Sequence, residues 1–169
     1  MERNLKAPRR FPPMALEIER KFLVKGDYKS LAHAKSHIIQ GYICSGRGRT
    51  VRVRMRDDAA FLTIKGPSRN GGLSRYEFEK EITRDEGLSL LSLCEPGIVE
   101  KVRWLVRVGK HVFEVDEFLG ENAGLVVAEV ELGSEDEDFE RPDFLGEEVT
   151  GDRKYYNSSL RAFPFSQWK

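Results

Sequence analysis

Between Ala15 and Leu132 the chain alternates apolar and polar side chains in short runs, the period of a β-strand. Ala15 to Val24 reads as a first strand. Gly26-Asp27 interrupts it, and Asp27 is placed to cap a short helix running to about His37. Ile39 to Cys44 reads as a second strand, and Gly46 and Gly48 mark a turn. Thr50 to Arg56 and Ala60 to Lys65, joined through Asp57-Asp58, resemble a hairpin. Residues 66–72 form a loop of Gly, Pro, Ser, Arg and Asn. Alternation resumes from Arg75 to Thr83. Asp85 to Cys94 is apolar at helical spacing, with Asp85 and Glu86 in its first turn, and Glu95-Pro96-Gly97 breaks it. Glu100 to Val108 and His111 to Phe118, joined by Gly109-Lys110, and then Leu125 to Leu132 complete the strands. Glu135 to Arg141 is expected to form a short acidic helix ahead of Pro142, and Asn157 to Ala162 another. Eight strands in mostly up-and-down order with a few helices predict an α+β chain, an eight-stranded antiparallel β-barrel with helices packed outside.

Successive strand residues point to opposite faces, so each strand splits into two sets. Glu17, Glu19 and Lys21 oppose Leu16, Ile18 and Phe22. Arg52, Arg54 and Arg56 oppose Val51, Val53 and Met55. Lys65 opposes Leu62 and Ile64, and Arg75, Glu77, Glu79 and Glu81 oppose Tyr76, Phe78 and Ile82. Lys101 and Arg103 oppose Val102, Trp104 and Val106. Glu114 and Asp116 oppose Phe113 and Val115, while Glu129 and Glu131 oppose Ala128, Val130 and Leu132. A half-buried sheet with one wetted face explains any single strand. It explains the whole set poorly, because the polar positions are almost all ionised and come in same-sign blocks, which repel unless a ligand offsets them. A barrel with its charged sets turned inward accounts for both faces. Arg and Lys suit phosphate oxygens, and paired carboxylates suit hard cations such as Mg²⁺ or Mn²⁺.

The bulk numbers narrow the class. In 169 residues, 28 Lys and Arg balance 28 Asp and Glu. A zero net charge argues against a general nucleic-acid binder, and no apolar run approaches the ~20 residues that span a bilayer. Residues 1–13, basic and carrying Pro8, Pro12 and Pro13, read as a flexible tail without a signal-peptide core, ahead of one domain from Met14 onward. Met14 is a candidate translation start. Cys44 and Cys94 lie far apart and outside any Cys-x-x-Cys pattern, which fits reduced thiols in the cytoplasm. Monomer and homodimer are both left open.

The pattern Glu17-Ile18-Glu19-Arg20-Lys21 resembles the Glu-x-Glu-x-Lys hallmark of the CYTH superfamily, the triphosphate tunnel metalloenzymes. Gln40-Gly41-Tyr42, Arg52-x-Arg54, Thr63-Ile64-Lys65, Arg75-x-Glu77-x-Glu79, Glu100-Lys101-x-Arg103, Glu114-x-Asp116 and Glu129-Val130-Glu131 look like the later family motifs in family order. Glu147-Glu148-Val149-Thr150, Asp152 and Tyr155-x-Asn157 look like its C-terminal motif. The resemblance is closest to the short bacterial inorganic tripolyphosphatases. It implies a tunnel-like barrel, dependence on Mg²⁺ or Mn²⁺, and a small-molecule triphosphate as substrate. Glu17, Glu19, Glu129 and Glu131 would bind metal. Lys21, Arg52, Arg54, Lys65, Lys101 and Arg103 would bind phosphate, with Glu77, Glu79, Glu114 and Asp116 as further acids of the lumen. Lys21 and Tyr42 map onto a catalytic lysine–tyrosine pair. The family's Arg before the C-terminal Tyr is Lys154 here, which keeps the charge for a phosphate contact but loses the planar fork.

Superfamily relatives that act on thiamine triphosphate, cyclise ATP or trim RNA 5′ ends define the rival chemistries, and a barrel that binds a triphosphate without turnover is the non-enzyme alternative. His33 and His37, four apart on the expected helix, make a weak metal pair. Ser158 and Ser159 have no His partner nearby in sequence, and the glycine pairs lack the Lys-Ser or Lys-Thr of a phosphate loop.

Overall fold

The computed structural model describes residues 15–168, so the reading of residues 1–13 as a tail lies outside the described part. Nine strands are present: β1 (Ala15–Val24), β2 (Ala32–Gly46), β3 (Arg49–Arg56), β4 (Ala59–Lys65), β5 (Ser74–Ile82), β6 (Val99–Val108), β7 (His111–Phe118), β8 (Val126–Glu131) and β9 (Leu145–Glu148). Two α-helices join them, α1 (Arg84–Leu91) and α2 (Asn157–Ala162). The sheet order is β5-β4-β3-β2-β6-β7-β8-β1-β9, and β1 also pairs with β5. That last pairing closes eight antiparallel strands into a barrel. The first half of β1 pairs with β5, Ala15 opposite Glu77 and Ile18 opposite Ser74. Its second half pairs with β8, Glu19 opposite Glu131 and Lys21 opposite Glu129. β9 takes up Phe22 and Val24 where β5 has ended.

One apolar core lies outside the barrel wall. Phe22, Val106, Phe113, Val115, Ala128 and Val130 project outward and are covered by Tyr28, Phe139, Phe144 and Leu145. Phe139 meets both Phe22 and Phe113 edge-on, at 6.0 and 6.1 Å between ring centroids. A second cluster, Val99, Phe118, Leu125, Val127 and Leu160, holds α2 across one end. The outer faces of β3 and β4 are covered by α1, whose Thr83 cap forms a capping box with Glu86. Gly87 lets it sit close, since a Cβ there would lie 2.7 Å from both Ala60 and Met55.

Three expectations change. The helix from Asp27 to His37 is absent. Asp27 does cap, accepting from the backbone N–H of Lys29 and Ser30, but of a single turn. Residues from Ala32 onward enter β2 because they pair in register with β6, Ile38 opposite Lys101 and Ala32 opposite Val106. Distant pairing overrides a local Ala- and Lys-rich composition that suits a helix. His33 and His37 are therefore strand residues, and the His37 ring lies 2.6 Å from Glu100.

The acidic helix over Glu135 to Arg141 is also absent. Glu137 is drawn back onto Lys110, His111 and the Gly133 N–H, while Phe139 inserts into the outer core. β9 replaces what read as irregular chain. The outward apolar set is covered mostly by loops and only locally by helix. It stays open at Leu16 of β1, Ile64 of β4 and Phe78 of β5, which are 47%, 44% and 53% exposed.

This uneven coverage makes a test. Phe22→Ala, which empties a fully buried site, should cost about 3–5 kcal/mol in urea unfolding. Phe78→Ser, on the open face, should stay within about 0.5 kcal/mol.

Candidate active site

Period-two alternation turns the charged sets into the lumen, which encloses about 620 Å³. Glu17, Glu19 and Lys21 enter from β1, Arg52, Arg54 and Arg56 from β3, and Lys65 from β4. Arg75, Glu77 and Glu79 come from β5, Lys101 and Arg103 from β6, Glu114 from β7, and Glu129 and Glu131 from β8. Tyr42 projects from β2, and Tyr156, Asn157 and Ser158 arrive from the start of α2. Asp116, 1% exposed, is buried against Lys101 and Arg103.

Cations here take carboxylate partners on neighbouring strands, because a buried unpaired charge is costly. Glu79 accepts from Arg52 at 3.3 Å, Arg54 at 3.0 Å and the Thr63 hydroxyl at 2.8 Å. Lys65 lies between Glu17 at 2.6 Å and Glu77 at 2.8 Å, and Arg75 also reaches Glu17. Asp116 accepts from Arg103 through two N–H groups at 2.7 and 2.8 Å, and from Lys101 at 2.6 Å. Arg103 further pairs with Glu114. Donors remain in excess on β3: the Nε groups of Arg52 and Arg54 are buried without a partner among the described residues.

The carboxylates of β1 and β8 show the opposite imbalance. Glu129 pairs with Lys21 at 2.9 Å. Burial works to raise it, but Lys21, Arg103 and Lys101 outweigh that and hold it well below the usual range. At its neighbours the pull of nearby lysines is outweighed. Glu19 and Glu131 face one another in register, and neither forms an ion pair among the described residues. Burial, then the Glu129 carboxylate, pushes Glu19 up to about 7. Burial, then Glu17, Glu114 and Glu77, raises Glu131. Among the described residues no three acidic, His or Cys side chains converge on one point. The donors thus suit a hard divalent cation that keeps water or ligand oxygens in part of its shell, the habit of Mg²⁺.

Lys21 and Tyr42 reach the same lumen but take different partners. The Lys21 ammonium pairs with Glu129 and lies 5.5 Å from the Tyr156 ring centroid. Burial opposes its charge, yet Glu129 and Glu19 raise its pKa. Tyr42 accepts a hydrogen bond from Gln40 at 3.0 Å, and burial raises its phenol. Lys101 is pushed down to about 8 by burial, against the pull of Asp116, and also donates to Asn157 at 3.0 Å.

Lys154 is the one expected phosphate ligand not brought to the lumen. Its ammonium lies 4.1 Å from the centroid of the Trp168 ring, because a 3-10 turn at Arg153–Tyr155 directs it outward. The same turn sends Tyr156 inward and leaves Tyr155 against Trp168, 5.3 Å between centroids. Arg75, Gln40, Tyr156 and Asn157 had no assigned role in the sequence. Arg75 was legible in its alternating set; the C-terminal pair was not, since a one-turn element has no readable face.

The raised Glu19 carboxyl sets a pH dependence. It binds more protons folded than unfolded between about 4.5 and 7. Its contribution is therefore most favourable below about 4.5 and is lost as pH rises through about 7. Glu19→Gln should make the metal-free protein about 1–3 kcal/mol more stable at high pH, with the gain vanishing toward pH 4.5. Urea unfolding in EDTA across this range measures it, and an unchanged pH slope in the variant would refute the assignment.

The sequence profile of the CYTH domain matches residues 15–161. A curated "Inorganic triphosphatase" of Acetivibrio thermocellus is 48% identical over 158 residues, covering 92% of this chain and 99% of the relative. Another, from Nitrosomonas europaea, is 37% identical over 148 residues, covering 85% and 95%. The crystal structure of the inorganic triphosphatase NE1496 superposes with a TM-score of 0.62 at 34% identity, over 86% of this chain and 97% of that one. The PH1012 protein from Pyrococcus horikoshii, 22% identical with a TM-score of 0.56 over 70% and 79%, shares the fold. With the profile spanning nearly all of the described barrel, the chain belongs to the CYTH domain family.

Proposed function

We propose that this chain hydrolyses inorganic triphosphate with Mg²⁺ or Mn²⁺, releasing phosphate by attack of water on a terminal phosphorus. The observation that carries this is the double imbalance of the lumen. Buried guanidinium N–H groups lack acceptors on β3, and the carboxylates of Glu19 and Glu131 lack cations a few strands away. A polyanion satisfies the first and a divalent cation the second. Both curated relatives carry the name of that activity.

Glu17, Glu19, Glu129 and Glu131 would hold the metal, which when bound supplies Lewis acidity and a more acidic water. Arg52, Arg54, Lys65, Lys101 and Arg103 bind the phosphate oxygens and offset the charge that spreads over the equatorial oxygens in the transition state. Lys21, fixed between Glu129 and the Tyr156 ring, and Tyr42 position the reacting groups. Glu77, Glu79, Glu114 and Asp116 keep the cations aligned before the anion arrives. An inorganic chain fits better than a nucleotide, since a base needs an aromatic face. Of the two lumen tyrosines, Tyr156 already has Lys21 and Arg75 within 6 Å of its ring centroid. Two free cysteines support a cytoplasmic setting, and no helix among the described residues is long and apolar enough to cross a membrane.

Phosphate release from tripolyphosphate, ATP and thiamine triphosphate, each with Mg²⁺, Mn²⁺ or EDTA, tests this reading. Tripolyphosphate should be turned over fastest and only with metal. Glu19→Gln and Lys21→Ala should each lose about 100-fold or more in kcat. Lys154→Ala, off the lumen, should stay within about twofold. Faster turnover of ATP or thiamine triphosphate would move the substrate, and tight metal-dependent binding without turnover would leave a binding module.

A further inference from the structure

We infer that Gln40 is a positioning residue that fixes the direction of the Tyr42 hydroxyl, so that Tyr42 gives its hydrogen to the bound anion and does not act as a base. This rests on the triphosphate reading of the lumen.

Gln40 lies mid-strand on β2, opposite Arg54 of β3 and Val99 of β6. It is 0% exposed, unusual for an amide side chain. It shares the inward face of β2 with Tyr42, two residues on, and its amide nitrogen donates to the Tyr42 oxygen at 3.0 Å. Among the described residues the Gln40 carbonyl oxygen has no partner, and neither has the Nε of Arg54, the residue directly opposite it in register. A guanidinium on that side favours the carbonyl end of the amide and disfavours the NH₂ end. The amide hydrogens face Tyr42, and the oxygen is left on the side where Arg54 stands opposite in register.

This polarity settles what Tyr42 can do. A phenol has one hydrogen to give. With Gln40 donating to its oxygen, that hydrogen must find an acceptor elsewhere. The Tyr42 hydroxyl donates to no acceptor among the described residues, and the charges that act on it most, Arg52, Arg75 and Lys21, cannot accept. The first acceptor to arrive is a phosphoryl oxygen. Tyr42 is 4% exposed, so burial keeps the phenol protonated through the working pH range. Gln40, Tyr42 and substrate then form an ordered sequence of donors ending on the anion, and no proton leaves Tyr42 during the reaction. The proton of the attacking water goes to another acceptor.

A double-mutant cycle decides this, using Gln40→Met, Tyr42→Phe and the combination, with Gln40→Leu as a second apolar replacement should the first fold poorly. If wild-type protein turns over tripolyphosphate with Mg²⁺, the cycle is read in kcat/KM. If it binds without turnover, the functional reading has failed, and the same cycle is read in calorimetric affinity for tripolyphosphate. Each single variant should lose about tenfold or more, the scale of one hydrogen bond to a charged group. The double variant should lose no more than Tyr42→Phe alone. Losses that multiply, or Gln40→Met within twofold of wild type, would overturn the inference. An independent readout needs no Gln40 variant: the Raman Fermi doublet of Tyr42, taken as the wild-type minus Tyr42→Phe difference, should shift toward a donating hydroxyl when tripolyphosphate is added. A shift toward an accepting or ionised phenol would refute it.

Discussion

Charge compensation inside a wall of strands is the constraint on which the rest of this barrel depends. The strand period puts ionised side chains at most positions lining the lumen, which is too confined for water to screen them all. Each sign must then be met by the other across a strand boundary. Register supplies the match: Thr63 of β4 stands between Arg52 and Glu79, its partners in β3 and β5. Lys101 and Arg103 of β6 find Asp116 of β7, and Lys21 of β1 finds Glu129 of β8. A shift of one residue in any of these pairings would turn a charged set into the outer core. Folding and site assembly are one event.

With much of its lumen filled by charges, the barrel draws its cohesion from an outer core and from the apolar cluster that closes one end. The loops over 25–31 and 133–145 take the role usually given to helices, because Phe139 and Phe144 close over Phe22 and Phe113. The C-terminal segment then anchors one end. Val149 donates to the Lys21 carbonyl and Thr150 accepts from the Lys21 N–H, so the residue that pairs with Glu129 is pinned at its backbone as well. Gly151 passes so close to Gly71 that a Cβ would lie 1.8 Å from its carbonyl oxygen, which brings Tyr156 beneath Lys21 and Arg75.

What could be read from the sequence follows the range of the forces involved. β1 and the β6–β7 hairpin were legible because alternation and turn residues are local, and the lumen set followed from period two and the excess of ionised positions. The stretch after Asp27 misled because its local chemistry does favour a capped turn, while the pairing that makes it a strand comes from β6, about seventy positions away, as in Ala32 with Val106. Lys154 was placed by motif alone, and a single 3-10 turn decides whether that motif presents Lys154 or Tyr156 to the lumen. No spacing could tell that Glu19 and Glu131 would stand without partners while Glu129 takes Lys21. That depends on how two strands far apart in sequence fall into register.

The same compensation explains why such a site would need its metal and its anion together. Before any ligand binds, Glu79 satisfies Arg52 and Arg54, and Glu17 satisfies Lys65 and Arg75. A phosphate that takes over those guanidinium and ammonium groups releases the carboxylates into a lumen that already holds Glu19 and Glu131 in excess. Anion binding alone therefore trades one set of contacts for a worse repulsion among acids. A divalent cation among the carboxylates removes that repulsion and adds its own attraction for the phosphate. Each ligand raises the affinity for the other by the same factor, as linkage requires. The internal ion pairs hold the cations in place until both ligands are present, and they let go only in exchange for contacts of the same sign.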